Sequence, residues 1–218
     1  MKTKIGIFLI ILGTALIASA LLLFVYNNNE DIKAGRASQR MLDDVIEAIK
    51  ERRGIKDDSA SDGLMDLGVS ENNEGSVHSY ISDPYSKDME VVEVGEYKYI
   101  GYISIPKLES LELPILSEWS YELLKDAPCR FSGSVFTDDL VLLGHNYTRH
   151  FGKLDRLKSG DRLSLIDMNG VEYKYEVIGV ELLPRGAVEE MTSGEYDLSL
   201  FTCDYSGNNR FTVRCNRI

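Results

Sequence analysis

The chain of 218 residues reads as a mainly β domain behind a helical N-terminus. Two observations carry that reading. From about Tyr97 onward, short apolar runs are separated by turn signals such as Met168-Asn-Gly170, the pattern of an antiparallel sheet or barrel. Ahead of it lie an uncharged apolar run and then a stretch with helical periodicity.

The apolar run extends from Ile5 to Tyr26 behind Lys2 and Lys4. As a helix it spans about 33 Å, enough to cross a bilayer core. The lysines before it and Asn27-Asn-Asn-Glu-Asp31 after it put residues 1–4 in the cytoplasm and the rest of the chain outside. Ala18-Ser-Ala20 has the small-residue pattern of a cleaved signal peptide, but the run continues through Leu21-Leu-Leu-Phe-Val25, which favours an uncleaved anchor. No second apolar run follows, so no C-terminal anchor is expected.

Residues 27–54 read as a juxtamembrane helix. Met41, Val45 and Ile49, with Leu42 and Ile46, fall on one face, and Gly54 is a stop signal. That face predicts packing on the following domain or on a second copy. Residues 55–95 form an acidic linker rich in Asp, Ser, Gly and Asn, expected to be irregular. The net charge of −11 argues against nucleic acid as the main partner.

Residues 96–218 are the candidate catalytic domain. Strands are predicted over Tyr99–Ile105, Leu111–Ile115, Ser134–Thr137, Leu140–His145, Arg162–Asp167, Val171–Leu183, Leu198–Cys203 and Arg210–Arg217, with a short helix near Trp119–Leu124. The last two strands carry the chemistry. Leu198-Ser-Leu-Phe-Thr-Cys203 ends on a thiol, Asp204-Tyr-Ser-Gly-Asn-Asn209 turns the chain, and Arg210 opens the return strand. A hairpin of this kind sets a nucleophilic sulfur beside a guanidinium able to stabilise an oxyanion. Composition alone leaves Cys203 equally readable as a buried structural thiol. Upstream, Leu140-Val-Leu-Leu-Gly144 ends on His145, a candidate acid–base group; such a lone histidine is also a common core or loop residue.

These residues resemble the sortase family, cysteine transpeptidases of Gram-positive cell surfaces. The family signature Thr-Leu-x-Thr-Cys, with an arginine on the next strand and an earlier Gly-His, reads here Ser199-Leu-Phe-Thr-Cys203, Arg210 and Gly144-His145; Ser199 departs from the usual threonine and keeps its hydroxyl. Gly101-Tyr-Ile-Ser-Ile-Pro106, Leu113-Pro-Ile115, His150-Phe-Gly-Lys-Leu154 and Gly160-Asp161 follow the family's order, so the resemblance covers about Tyr97 to Ile218.

The resemblance implies an eight-stranded sortase-like β-barrel with short helices. In it Cys203 is the nucleophile, His145 the proton donor to the leaving amine, and Arg210 the oxyanion donor. Ser199, Thr202 and the loop from Pro184 to Asp197 are implied to bind substrate. Arg214, on the same strand face as Arg210, is expected to serve as a surface ion pair. Partners implied are sorting-signal proteins, a cell-wall precursor or pilin amine as acceptor, and membrane lipid around the N-terminal helix.

Pilus-type sortases carry an Asp-Pro-aromatic lid upstream of the barrel, and Asp83-Pro84-Tyr85 resembles it; an Asp-Pro turn in a linker is the alternative, and the lack of a second anchor counts against a pilus-type enzyme. His78 and His150 are not expected to act. Neither metal nor cofactor is expected, since no ligand set accompanies the histidines. Cys129 and Cys215 could pair in an exported protein or remain thiols. Two other readings stay open: another cysteine acyl transferase or peptidase, and an inactive surface assembly module on the same barrel.

Overall fold

The computed structural model describes residues 2–61 and 88–218. Helix α1 (Lys2–Ser61) precedes nine strands: β1 (Val92–Val94), β2 (Tyr97–Ile105), β3 (Leu111–Leu116), β4 (Cys129–Ser132), β5 (Leu140–Leu143), β6 (Arg162–Asp167), β7 (Glu172–Pro184), β8 (Leu198–Cys203) and β9 (Asn209–Arg217). A short helix, α2 (Val188–Met191), lies between β7 and β8, and 3-10 turns occupy Leu123–Lys125 and Phe151–Arg156.

The strand order is β1-β2-β3-β4-β5-β8-β9-β7-β6, and β2 also pairs with β6. That pairing closes β2 to β9 into the eight-stranded barrel that the sequence resemblance implies. The short β1 stays outside the ring: it pairs with Tyr97 to Tyr99 of β2, ahead of the stretch from Gly101 to Ser104 that β6 takes. Closure depends on Gly101. Its φ is +139°, and an added Cβ would lie 1.9 Å from the Ile166 carbonyl oxygen, so β6 can close on β2 only where no side chain intervenes.

Two-residue alternation sorts the side chains into two layers. Leu140 and Leu142, Leu163 and Leu165, and Leu198 and Leu200 point into the barrel. Val141, Leu143 and Phe201, from the opposite faces, join an outer cluster with Tyr99, Leu116 and Met168. Met41, Val45 and Ile49 of α1 enter this outer cluster, so the predicted helical face packs on the barrel. Burying each such aliphatic side chain contributes about 1.5–3 kcal/mol, enough to hold the helix in register.

Beyond β1, which forms in the stretch expected to be irregular, the structure departs from the sequence expectations in three places. First, α1 runs unbroken through Asn27-Asn-Asn29 and past Gly54 to Ser61. A glycine in a helix costs only about 1 kcal/mol, which does not end a helix anchored by packing along one face. Second, the strand expected at Ser134–Thr137 is a turn. Asp139 Oδ1 accepts from the Ser134 amide at 3.0 Å and from Thr137 Oγ1 at 2.5 Å, and the strand lies earlier, at Cys129–Ser132. Third, the short helix near Trp119–Leu124 is a 3-10 turn at Leu123–Lys125. The candidate lid Asp83-Pro84-Tyr85 and His78 lie outside the described residues.

The stretch from Ile5 to Tyr26 is long and apolar enough to cross a membrane, and none of its most apolar window is buried against the protein.

Candidate active site

Three strand ends bring the candidate residues together. β5 and β8 run parallel, with Leu143 opposite Phe201, and the Gly144 amide donates to the Phe201 carbonyl at 3.1 Å. Two residues further along each chain come His145 and Cys203, so both emerge at the same end of the barrel. β9 returns antiparallel to β8 and sets Arg210 directly opposite Cys203. Directly opposed residues share a face with Cβ atoms about 4.5–5.5 Å apart.

The turn between β8 and β9 is held by Asp204. Its carboxylate accepts from Asn209 Nδ2 at 2.9 Å, from Ser206 Oγ at 2.8 Å and from the Asn209 amide at 3.2 Å. These bonds, that from the Asn209 side chain foremost, hold the carboxyl down at about 2. Gly207 supplies the left-handed φ of +73° that the turn needs. Arg210 Nη1 donates only to backbone carbonyls, Asn209 at 3.1 Å and Gly207 at 3.5 Å. Among the described residues its charge meets no carboxylate, which leaves it available to an anion.

His145 is half-buried. Gly144 before it makes room: a Cβ there would lie 2.5 Å from the Phe151 ring, which packs under the turn. The imidazole stacks on Tyr147, with centroids 3.9 Å apart and planes 5° from parallel. Its Nδ1 lies 3.0 Å from Asn146 Oδ1, an oxygen that can only accept. With Asn146 Oδ1 as acceptor, the neutral ring is assigned its proton on Nδ1, and Nε2 keeps its lone pair. Burial pushes the imidazole below its ordinary value; the Asn146 bond opposes that shift and nearby Lys125 adds to it. His145 is thus a neutral base at neutral pH.

The three cysteines differ in exposure. Cys203 is half-exposed, whereas Cys129 and Cys215 are buried, and burial pushes each of their thiols up to about 12. All three are free; Cys215 lies inside the barrel and Cys129 in the outer cluster.

Of the remaining candidates, Thr202 alternates with Cys203, so its side chain is buried toward the barrel; among the described residues its hydroxyl has no partner. Ser199 shares the face of Cys203 but is buried beneath Arg214, whose Nη1 donates to its hydroxyl at 2.9 Å. Arg214 is no surface ion pair. Its side chain is 4% exposed and also donates to Glu181 Oε1 at 2.5 Å, to the Met191 carbonyl at 3.0 Å and to the Glu190 carbonyl. The last two bonds tie α2, and with it the connection from Pro184 to Asp197, to the barrel wall.

Sequence reasoning also missed an aromatic strip. Phe201, two residues before Cys203, meets Phe131 edge-on at 5.4 Å, and Phe131 stacks on Trp119 at 5.5 Å. Trp119 and Phe131 line an open cavity of about 460 Å³. The single tryptophan, still 40% exposed, was the available signal. His150 is buried; among the described residues its ring nitrogens make no hydrogen bond of good geometry, and burial pushes it down to about 4 against the opposing pull of the Ala34 backbone. Among the described residues no three His, Cys, Asp or Glu side chains converge as metal ligands.

Comparison with known proteins gives the same answer for the barrel. No curated protein matches the chain significantly. Among solved structures it is similar to sortase C1 of Streptococcus agalactiae (28% identity over 55% of this chain and 67% of that one, TM-score 0.49). It is also similar to sortase C of Streptococcus pneumoniae (22% identity, 58% and 70%, TM-score 0.51). A third is sortase C of Clostridium perfringens SM101 (22% identity, 81% and 89%, TM-score 0.48). The family model for the sortase domain matches residues 103–218. Since that match takes in more than half of the chain, including β5, β8, β9 and the three residues they converge, the chain belongs to the sortase family of cysteine transpeptidases.

Proposed function

We propose that this sortase is held in the cell membrane by residues 5–26, with residues 1–4 in the cytoplasm and the barrel outside, and that it cleaves a C-terminal sorting signal and transfers the acyl group to an amine. The observation that carries the assignment of roles is the convergence of Cys203, Arg210 and His145 from three adjacent strand ends. The Cys203 proton passes to His145 Nε2 as the sulfur attacks the scissile carbonyl carbon. The guanidinium of Arg210 takes the charge that develops on the carbonyl oxygen. The C–N bond then breaks as His145 returns the proton to the leaving nitrogen, and a thioester on Cys203 remains. An amine of a cell-wall precursor or a pilin attacks that thioester and releases the sulfur.

Position also supports a bed for the sorting signal. Trp119 and Phe131 offer apolar surface, packed through the buried Phe201 onto the nucleophile strand, and the connection from Pro184 to Asp197 flanks that strand across β9. The pneumococcal relative is described as specific for pilin substrates, which makes a pilin lysine one acceptor to try. Asp83 and Tyr85 remain proposed as a lid over Cys203.

Full-length protein in detergent, incubated with sorting-signal peptides that carry a thiol-reactive group, tests the assignment. Mass spectrometry should find the adduct on Cys203 and not on Cys129 or Cys215. An adduct on either buried cysteine overturns it.

A further inference from the structure

A second cavity, of about 720 Å³, opens on the other side of His145. One wall is the barrel: Lys125, His145 and Tyr147, with Tyr205 from the β8–β9 turn. The facing wall is α1 from Phe24 to Asp31, the last residues of the apolar run and the first turn beyond it. The contact that holds this wall in place is built. Asp31 accepts from the Arg149 amide at 3.2 Å and from Arg149 Nη1 at 2.6 Å, and the Arg149 side chain crosses α1 at Gly35, where a Cβ would lie 2.1 Å from its Cδ. The helix is therefore docked against the very loop that carries His145.

We propose that this cavity is the entry subsite for the acceptor, that it takes a primary ammonium group, and that Glu30 of α1 recognises the charge. The inference rests on the reading of His145 as the acid–base group. An acceptor amine must reach His145 to lose a proton and must approach the thioester carbon from its side. The cavity is lined by His145 and by Tyr205, two residues after Cys203 in the β8–β9 turn, and its volume falls in the range of small-ligand sites. Its walls suit a cation: the carboxylates of Glu30 and Asp31 and the ring faces of Tyr26, Tyr147 and Tyr205 outweigh the one ammonium of Lys125. Lys125 pairs with Glu122 at 2.8 Å in an equally exposed pair, and Asp31 is held by Arg149. Among the described residues Glu30 is bound only to Lys33, at 2.9 Å, and Lys33 is 72% exposed. An exposed pair of this kind exchanges its partner easily, so Glu30 is the carboxylate that an incoming ammonium can claim.

The step balances. The ammonium gives one proton to His145 Nε2 and attacks as the free amine. The C–N bond forms and the C–S bond breaks. The proton shed by the new amide nitrogen goes to solvent, and His145 returns its own to the Cys203 sulfur.

The experiment uses the full chain in nanodiscs and measures the ratio of aminolysis to hydrolysis per thioester formed. Triglycine is the charged acceptor and hydroxylamine, uncharged at neutral pH, the control. Glu30→Gln should raise the KM for triglycine and lower the ratio severalfold while hydroxylamine capture stays put; Lys33→Gln, which frees Glu30, should move the triglycine KM the other way. Equal losses with both acceptors, an unchanged ratio in both variants, or a change only in the KM for the sorting peptide overturns the subsite. Absence of any thioester on Cys203 in the wild type overturns the underlying reading instead.

Discussion

The two ends of β9 present the same side chain in opposite states. Arg210 and Arg214 lie four residues apart on one face of one strand. At the turn end, Arg210 faces Cys203 with only two backbone carbonyls for partners. At the inner end, Arg214 is buried and spends its donors on Ser199, Glu181 and two carbonyls of the β7–β8 connection. The turn after β5 repeats the contrast with histidines: His145 is half-exposed with an oriented ring, and His150 is sealed in the interior. In each pair the residue suited to chemistry keeps unspent bonding capacity at the surface, and its counterpart serves the fold.

The largest expected effect tests the reactive end. Arg210→Ala should lower kcat/KM by about 10²–10³, the cost of losing one preorganised oxyanion donor, with little change in Tm. Steady-state kinetics with a quenched sorting peptide and a melting curve on the same sample check both halves. Equal kinetic losses in Arg210→Ala and Arg214→Ala would merge the two arginines into one unit and end the contrast.

Arg214→Ala should instead act on stability. It leaves Ser199, Glu181 and two carbonyls without their donor, and removing one partner of a buried charged network costs about 3–5 kcal/mol. The lower end applies here, because Glu181 is 40% exposed and can be rehydrated. Denaturant unfolding measures it. Since Arg214 also holds the β7–β8 connection, the KM for the sorting peptide should rise more than kcat falls.

This division explains what the sequence revealed. The sulfur–guanidinium pair was legible because a hairpin with a short polar turn forces its flanking residues opposite each other, whatever the rest of the chain does. The closed barrel needed the family resemblance, because closure rests on long-range pairing of β2 with β6 at Gly101, which local pattern does not encode. The unbroken α1 was illegible for the same reason: Asn27-Asn-Asn29 and Gly54 are real local breakers, and the helix that carries them is anchored on the barrel between them, through Asp31 on Arg149 and through Met41, Val45 and Ile49. Arg214 was misread as a surface residue, and the burial of Ser199 and Thr202 was not foreseen, because a motif gives residue order, and burial depends on which face of a strand meets which layer.

A smaller effect concerns how His145 is tuned. Because burial depresses its value, the imidazole is neutral down to a pH below 6.5, and the acid limb of the kcat/KM profile should fall below that value. Asn146→Ala removes the bond that opposes the shift. The acid limb should move to still lower pH, and the maximum rate should fall roughly tenfold as the ring loses its orientation, part of the 10²–10⁴ that a positioned acid–base group supplies. A limb that moves to higher pH would mean that Asn146 does not stabilise the charged ring.

The smallest effect separates the two histidines through stability. Burial holds His150 at about 4, against an ordinary value of 6.5. Between those values the unfolded chain binds a proton that the folded chain refuses, so the stability this residue contributes is complete above 6.5 and is lost as the pH falls through about 4. Tyr147 meets the ring edge-on at 5.5 Å, and Asp31 and His145 are the charged and titratable neighbours that act on it. His150→Phe keeps an aromatic ring in the space and cannot take up a proton. Melting temperatures across that window should decline less steeply in the variant than in the wild type. The carboxyl of Asp204, held at about 2, acts only at lower pH and leaves the window clear. Parallel declines in the two proteins would mean that His150 titrates normally in the fold, and the contrast with His145 would rest on exposure alone.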